Sequence, residues 1–405
     1  MQLLQCLYGS MRRLLLSAAL ASALAPAYGQ NVSKKDVATI SMWLKDLQFT
    51  NRSLPSFGGL RAHHTPSASD ASGKQYWRVS PYINNIAVTS LLETSEPYRL
   101  DVAKGWIEWY FSHLNKASAP DGVPYEHFYL ADGSGETTCI KPGDSHLCNY
   151  NDATDSAAAT LFRLLHTFVR AGGDRETLLV VGRRQQIEAS ARVMLALQQP
   201  DGLLWAKSDY RAKYLEDNCE VYDGLTALAD LERDLYHDAS LSADFTTAAG
   251  RVRAGILAEL YDTAANSWNI AKHEDGVIAH SDLSKWYPDM QCQMWPLLFT
   301  VVPPSSPRVA SAMRALHTVW SGDKGKQRDW AAALATINNG FINADVAYGV
   351  LLGGDRSRAT AYIDAARKLK WGMQDDRSRF SWPFTPLDAA WLLRILTHLD
   401  EQKRP

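Results

Sequence analysis

Six carboxylates stand where helices are predicted to begin: Asp152 and Asp155, then Glu216, Asp217 and Glu220, then Asp289. Glu216, Glu220 and Asp223 recur at i, i+4 and i+7, one face of a helix if that helix reaches back far enough. Crowding of like charge raises the pKa of at least one member, as a general acid requires. Two carboxyl groups across a bound sugar, about 5–5.5 Å apart for retention or about 6.5–9.5 Å for inversion, are the machinery of glycosidic-bond cleavage. Asp and Asn at helix starts are also ordinary caps, satisfying free backbone N–H groups and the helix dipole. Asp152 with Asp155, and above all the Glu216-Asp217-Asn218-Cys219-Glu220 run, exceed what capping needs. Thr385-Pro386-Leu387-Asp388, by contrast, reads as a capping box with Pro at the first helical position.

Rings recur at the same starts. The six clusters begin at Tyr82, Tyr150, Tyr214, Trp286, Phe341 and Trp382. A sugar's C–H face stacks on a ring while Asn and Asp bind its hydroxyls, so Trp77, Tyr82, Tyr150, Tyr214, Trp286, Tyr287 and Trp382 are candidate platforms. Asn84, Asn151 and Asp345 are candidate hydroxyl binders, with Asn85 beside Asn84 open to the same role or to capping. Most of the 13 Trp and 17 Tyr should nonetheless pack the core. The inner-helix starts carry carboxylates and no His, which argues against histidine-based epimerase or isomerase chemistry. The pair His63-His64 lies in a long early loop, either solvated or folded over the cleft.

Helical periodicity supplies the frame for these groups. Predicted helices cover Ser33–Leu47, Pro81–Glu93, Pro97–Asn115, Asp152–Arg170, Asp174–Gln199, Glu220–Tyr236, Ser240–Tyr261, Asp289–Val301, Pro307–Val319, Asn343–Leu352, Ser357–Lys370 and Pro386–Leu399. Small-residue, nearly uncharged helices such as the one holding Ser156-Ala157-Ala158-Ala159 alternate with helices bearing a charged stripe. A helix apolar on every side is buried and an amphipathic one is a shell, so the pattern describes six inner helices inside six outer ones. A short β-hairpin is expected in the loop at Tyr125–Tyr129, with Asp132-Gly133 as its turn.

Met11-Arg12-Arg13 and the apolar stretch Leu14–Leu24, followed by small residues, read as a signal peptide over residues 1–29. The stretch is too short to span a bilayer, so the mature protein is expected to be periplasmic or secreted, with no membrane span. Residues 31–405 show no break in composition and read as one domain. Losing Arg12 and Arg13 lowers Lys plus Arg from 42 to 40 against 44 Asp plus Glu, which offers nucleic acid no basic footprint. In an oxidising compartment Cys139 and Cys148, bracketing a polar loop, are expected to pair; Cys219 and Cys292 are left open. A zinc site on Cys139, His146 and Cys148 lacks the usual ligand spacing, and neither metal nor cofactor is expected. A monomer acting on an oligo- or polysaccharide is the expected partner arrangement.

With Tyr150-Asn151-Asp152-Ala153-Thr154-Asp155-Ser156 and Leu215-Glu216-Asp217-Asn218-Cys219-Glu220 heading alternate helices, the chain resembles the six-hairpin glycosidase superfamily over nearly its whole mature length. That resemblance implies an all-α (α/α)6 toroid with its active cleft at the N-terminal ends of the inner helices. It implies a glycoside hydrolase using two carboxylates. A polysaccharide lyase on the same fold, with Tyr150, Asn151 and Arg78 as its working groups, is the alternative, as is a non-catalytic carbohydrate-binding protein of exopolysaccharide metabolism.

Overall fold

The computed structural model describes residues 34–115, 122–320, 344–368 and 384–401. The leader, the start of the Phe341 cluster and Trp382 lie outside these residues. Helix α1 (34–46) is followed by β1 (Ala68–Ser69), β2 (Gln75–Val79), α2 (Pro81–Leu92), α3 (Arg99–Ser112) and β3 (His127–Tyr129). Next come α4 (Thr154–Arg170), α5 (Glu176–Leu179), α6 (Arg183–Leu195), β4 (Ala212–Tyr214), α7 (Leu215–Asp234) and α8 (Ala239–Glu259). Four short strands, β5 (Tyr261–Asp262), β6 (Ser267–Trp268), β7 (Ala271–His273) and β8 (Ile278–Ala279), precede a π turn (Trp286–Met290) and a 3-10 turn (Gln291–Gln293). The chain ends with α9 (Trp295–Leu298), α10 (Pro307–Trp320), α11 (Asp345–Leu352), α12 (Arg356–Lys368) and α13 (Pro386–Glu401).

Six of these helices form a closed ring. α2 touches α4, α4 touches α7, α7 touches α9, α9 touches α11, α11 touches α13, and α13 returns to α2. Between them α3, α6, α8, α10 and α12 run back along the outside, and α1 joins the shell through the Asp36–Arg367 ion pair to α12. The protein is an (α/α)6 toroid. Ring helices are buried nearly all round, as in Asn84–Leu92 of α2 and Thr154–Phe162 of α4, because each has neighbours on both flanks and a shell behind it. The shell helix α8 alternates buried Phe245, Ala248, Val252 and Ile256 with exposed positions.

Close approach in the ring rests on small residues. A Cβ at Gly224 of α7 would lie 2.5 Å from the Ala159 carbonyl oxygen of α4. The capping box at α13 forms: the Asp388 carboxylate accepts from the Thr385 N–H (2.9 Å) and hydroxyl (2.8 Å).

Three departures from the expected elements have local causes. The helix expected over Asp174–Gln199 breaks into α5 and α6 at Gly182, which adopts φ +84° beside the exposed Val181. The helix expected over Asp289–Val301 is a π turn, a 3-10 turn and one turn of α9, where Pro288 and Pro296 withhold the N–H groups that a regular helix needs. α7 begins five residues earlier than expected, at Leu215, because the Asn218 side chain pins its first turn. Asn218 accepts from Leu204 N–H (2.7 Å) and donates to the carbonyls of Tyr214 (2.8 Å) and Leu204 (3.2 Å). The Asp132-Gly133 turn forms, but its returning arm meets β3 through a single Phe128–Thr137 bridge. β3 pairs instead with β2, Trp77 opposite Tyr129.

Candidate active site

A cleft of about 1150 Å³ opens at the N-terminal ends of the ring helices. α2 supplies Tyr82 and Ile83, the start of α4 supplies Tyr150, Asp152 and Ser156, β4 supplies Tyr214, and α7 supplies Glu216 and Asp217. The irregular turns before α9 add Tyr287, Pro288 and Gln291, with Trp295 from α9 itself and Leu387 from α13. The extended residues ahead of each helix aim these groups. β4 leads into α7 with Tyr214 in β conformation, and Leu215 N–H donates to the Ile270 carbonyl (2.9 Å), so the sheet β4–β7–β8 holds the start of α7. At α4 the Thr154 N–H donates to the Ala206 carbonyl (2.9 Å).

Of the carboxylates singled out in the sequence, Asp152, Glu216 and Asp217 face the cleft. Asp152 is exposed at the mouth and accepts a hydrogen bond from the Tyr150 hydroxyl (2.6 Å). Burial, followed by the Asp152 charge, pushes Asp217 up to about 7. Glu216 is raised too, by burial and then by Glu220, Asp217, Asp345 and Asp152.

Asp155, Glu220 and Asp289 do not line the cleft. Asp155 is buried at the first turn of α4, where its Oδ1 accepts the Ser156 N–H (2.8 Å); burial and Asp217 raise its pKa well above the usual range. Glu220, one turn into α7, accepts from the Tyr82 hydroxyl (2.9 Å) and faces a separate cavity of about 230 Å³ with Arg163, Asp223 and Arg394. Asp289 turns into its own loop and accepts from the Asp282 N–H (2.7 Å).

The ring and amide candidates divide in the same way. Tyr82, Tyr150, Tyr214 and the half-exposed Tyr287 line the cleft. Trp286 is buried edge-on against Trp320 at 4.9 Å, leaving no face for a sugar. Trp77 lies on β2 and donates to the His64 carbonyl (2.8 Å), outside the cleft. Asn84 is buried and donates to the Leu60 carbonyl (2.7 Å); Asn85 joins α2 to α4 and accepts from Trp106 (2.9 Å). Both lie buried within α2 and outside the cleft lining. Asn151, between the cleft-lining Tyr150 and Asp152 in the chain, donates its side-chain N–H to Thr154 (3.1 Å). Asp345 is buried behind the wall, accepting from Gln291 and Trp295, and is pushed up to about 6 by burial.

Sequence reasoning missed Lys207, Tyr210, Ser145, His146, Gln291 and Trp295, all of which line the cleft. Lys207 donates to the Asn151 carbonyl (3.0 Å), and the Tyr210 and Tyr214 hydroxyls meet at 2.7 Å. A signal was present: residues 207–210 immediately precede the acid-rich start of α7. Ser145 and His146 sit within the loop closed by the Cys139–Cys148 disulfide, and the His146 ring packs 5.0 Å from that of Tyr150. Cys219 and Cys292 are free and buried. Cys139→Ser/Cys148→Ser should therefore raise KM about three- to tenfold by loosening this wall. Steady-state kinetics check this; an unchanged KM would assign the disulfide to loop stability alone.

No family model matches the chain, and no curated protein sequence does either. Solved structures match its fold. A wild-type glycosidase superposes with a TM-score of 0.56 at 14% identity, covering 94% of this chain and 98% of the other. An unsaturated glucuronyl hydrolase specific for heparin gives 0.52 at 10% identity over the same shares. An alpha-amylase from Clostridium perfringens gives 0.53 at 10% identity over 90% and 97%.

Proposed function

We propose that the chain is an exported glycoside hydrolase acting on an oligo- or polysaccharide. One observation carries this reading: Asp152 and Asp217, at the starts of adjacent ring helices, reach one tyrosine-lined cleft, and burial with the charge of Asp152 holds Asp217 at a pKa of about 7. A group titrating near working pH is the best placed to protonate a departing glycosidic oxygen. Asp152 supplies the opposing carboxylate, which attacks the sugar carbon or takes the proton of the attacking water. Glu216, whose pKa burial and the neighbouring carboxylates raise, faces the same cleft as a further contact for sugar oxygens. Tyr82, Tyr150, Tyr214 and Tyr287 are the stacking faces and hydroxyl partners. The similarity of fold to structures described as glycosidases supports the reading. The predicted leader and the disulfide support export.

The lyase reading is weaker, because its charge-neutralising candidate Arg78 is paired with the buried Glu126 and the Tyr150 hydroxyl donates to Asp152. Incubation with a panel of glycans tests the proposal. New reducing ends without ultraviolet-absorbing double bonds, abolished by Asp152→Asn, are expected. Unsaturated products would replace it with the lyase, and binding without turnover by the wild type would replace both with a carbohydrate-binding role.

A further inference from the structure

Away from the cleft, three side chains from three elements converge. His113 follows the last turn of α3, His127 opens β3, and Glu136 lies beyond the Asp132-Gly133 turn. His113 Nε2 is 3.1 Å and His127 Nδ1 2.9 Å from the same oxygen, Glu136 Oε1, and the three ligand atoms lie within 4.8 Å of one another. The two imidazoles are only 8% and 9% exposed, while the carboxylate is 32% exposed and leaves the cluster reachable from solvent. None of the three lines the cleft.

Proton bookkeeping shows that a positive charge belongs among them. His113 Nδ1 is 2.6 Å from the Trp109 carbonyl oxygen, which only accepts, and 2.9 Å from the Ser112 hydroxyl, which gives its proton to that same carbonyl (2.8 Å), so Nδ1 carries the ring's proton. In the neutral ring Nε2 is then a bare lone pair, and it points at the carboxylate oxygen. The Tyr129 hydroxyl, which accepts from Trp109 Nε1 (3.1 Å), has one proton to give and stands 3.0 Å from His113 Nε2 and 3.5 Å from Glu136 Oε1. Giving it to either leaves nitrogen and oxygen lone pairs facing each other. Either a second proton makes a nearly buried imidazolium, at a desolvation cost, or a cation sits between the donors.

We propose that His113 Nε2, His127 Nδ1 and Glu136 Oε1 form a zinc site that ties the end of α3 to β3 and the loop beyond it. Two imidazole nitrogens and one carboxylate oxygen are a zinc donor set, with the fourth tetrahedral position left to water or to the Tyr129 hydroxyl. Metal–donor bonds of about 2.0–2.2 Å place tetrahedral donors about 3.3 Å apart, so the two nitrogen–oxygen separations of 3.1 and 2.9 Å need to open by a few tenths of an ångström and the two nitrogens, within 4.8 Å of each other, to stand at about that same spacing. The Nδ1–H···O=C bond from His113 to Trp109 is the second contact that fixes a ligating histidine's tautomer and ring plane. Stacking of the His113 ring on Trp109 at 4.4 Å holds the same orientation. The cluster escaped sequence reasoning because 113, 127 and 136 share no short motif.

The test uses the full mature chain without a histidine tag, stripped with EDTA and titrated with zinc chloride alone. One zinc per chain by calorimetry and elemental mass spectrometry is expected. Saturating zinc should raise Tm by about 3–5 °C. His113→Gln and Glu136→Gln should weaken zinc binding at least about tenfold and remove the Tm shift, with the metal-free Tm near that of the wild type. No stoichiometric binding by the wild type, or unaltered binding in both variants, would overturn the site in favour of a protonated His–Glu cluster.

Discussion

Asp217→Asn is expected to lower kcat on a competent glycan by about 10²–10⁴-fold, the range for removing a positioned general acid. The loss should fall on kcat rather than KM, because the proton is delivered in the transition state and adds little to ground-state binding. It should shrink on aryl glycosides, whose phenolate leaving groups need little protonation. A loss equal on both substrate types would remove Asp217 from the acid role. The pH profile supplies a second check. Asp217 is pushed up to about 7 by burial and by Asp152, so its active, protonated form is present below that value. Activity should then fall tenfold per pH unit above it.

The same shift predicts that Asp217→Asn, which lowers activity, raises stability at high pH. A carboxyl whose folded pKa exceeds its ordinary 3.8 contributes stability that is fully present below 3.8 and is lost as pH rises to about 7. A shift of about three units would correspond to about 4 kcal/mol, which partial exposure to the cleft screens to about 1–2 kcal/mol. Asp217→Asn should match the wild type in Tm at pH 4 and exceed it by about 2–4 °C at pH 8. A variant less stable than the wild type at pH 8 would show that the buried charge is compensated.

Gly224→Ala is the second large effect, and two opposing terms decide its sign. Alanine in mid-helix is worth about 1 kcal/mol over glycine by propensity alone. Here the added Cβ would meet the Ala159 carbonyl oxygen at 2.5 Å and the Ala159 Cα at 2.6 Å, both backbone atoms that cannot rotate aside. Overpacking of this kind costs about 1–3 kcal/mol or more, so the variant should be destabilised. The contact joins α4 to α7, the helices whose starts carry Asp152 and Asp217, so widening it also misplaces the two carboxylates. A displacement of about 1 Å lowers kcat/KM by about 10²-fold. Calorimetry together with kinetics tests both halves. A more stable variant with full activity would mean that the ring absorbs the methyl group without moving its helices.

The alternation of uncharged and striped helices, and the surplus acid at Asp152/Asp155 and at Glu216/Asp217/Glu220, were legible from residue order alone. Both are local: periodicity records which side of a helix is buried, and a cap needs few acceptors however the chain folds. The Thr385–Asp388 capping box and the Cys139–Cys148 loop, each confined to a few consecutive residues, could be anticipated for the same reason. What the order of residues could not decide is which acid turns inward. Asp152 and Asp155 are three residues apart, yet one reaches the cleft mouth and the other is buried against Ser156 N–H. Glu216 and Glu220 lie one turn apart on α7 and face different cavities. Those outcomes depend on where α7 starts, which the Asn218–Leu204 contact sets, and on how closely Gly224 lets α4 approach. The sequence determined a ring of helices with acid at its inner starts. Only the tertiary structure decided which carboxyls share one cleft and how far burial raises them, because desolvation and charge repulsion depend on distances between residues remote in the chain.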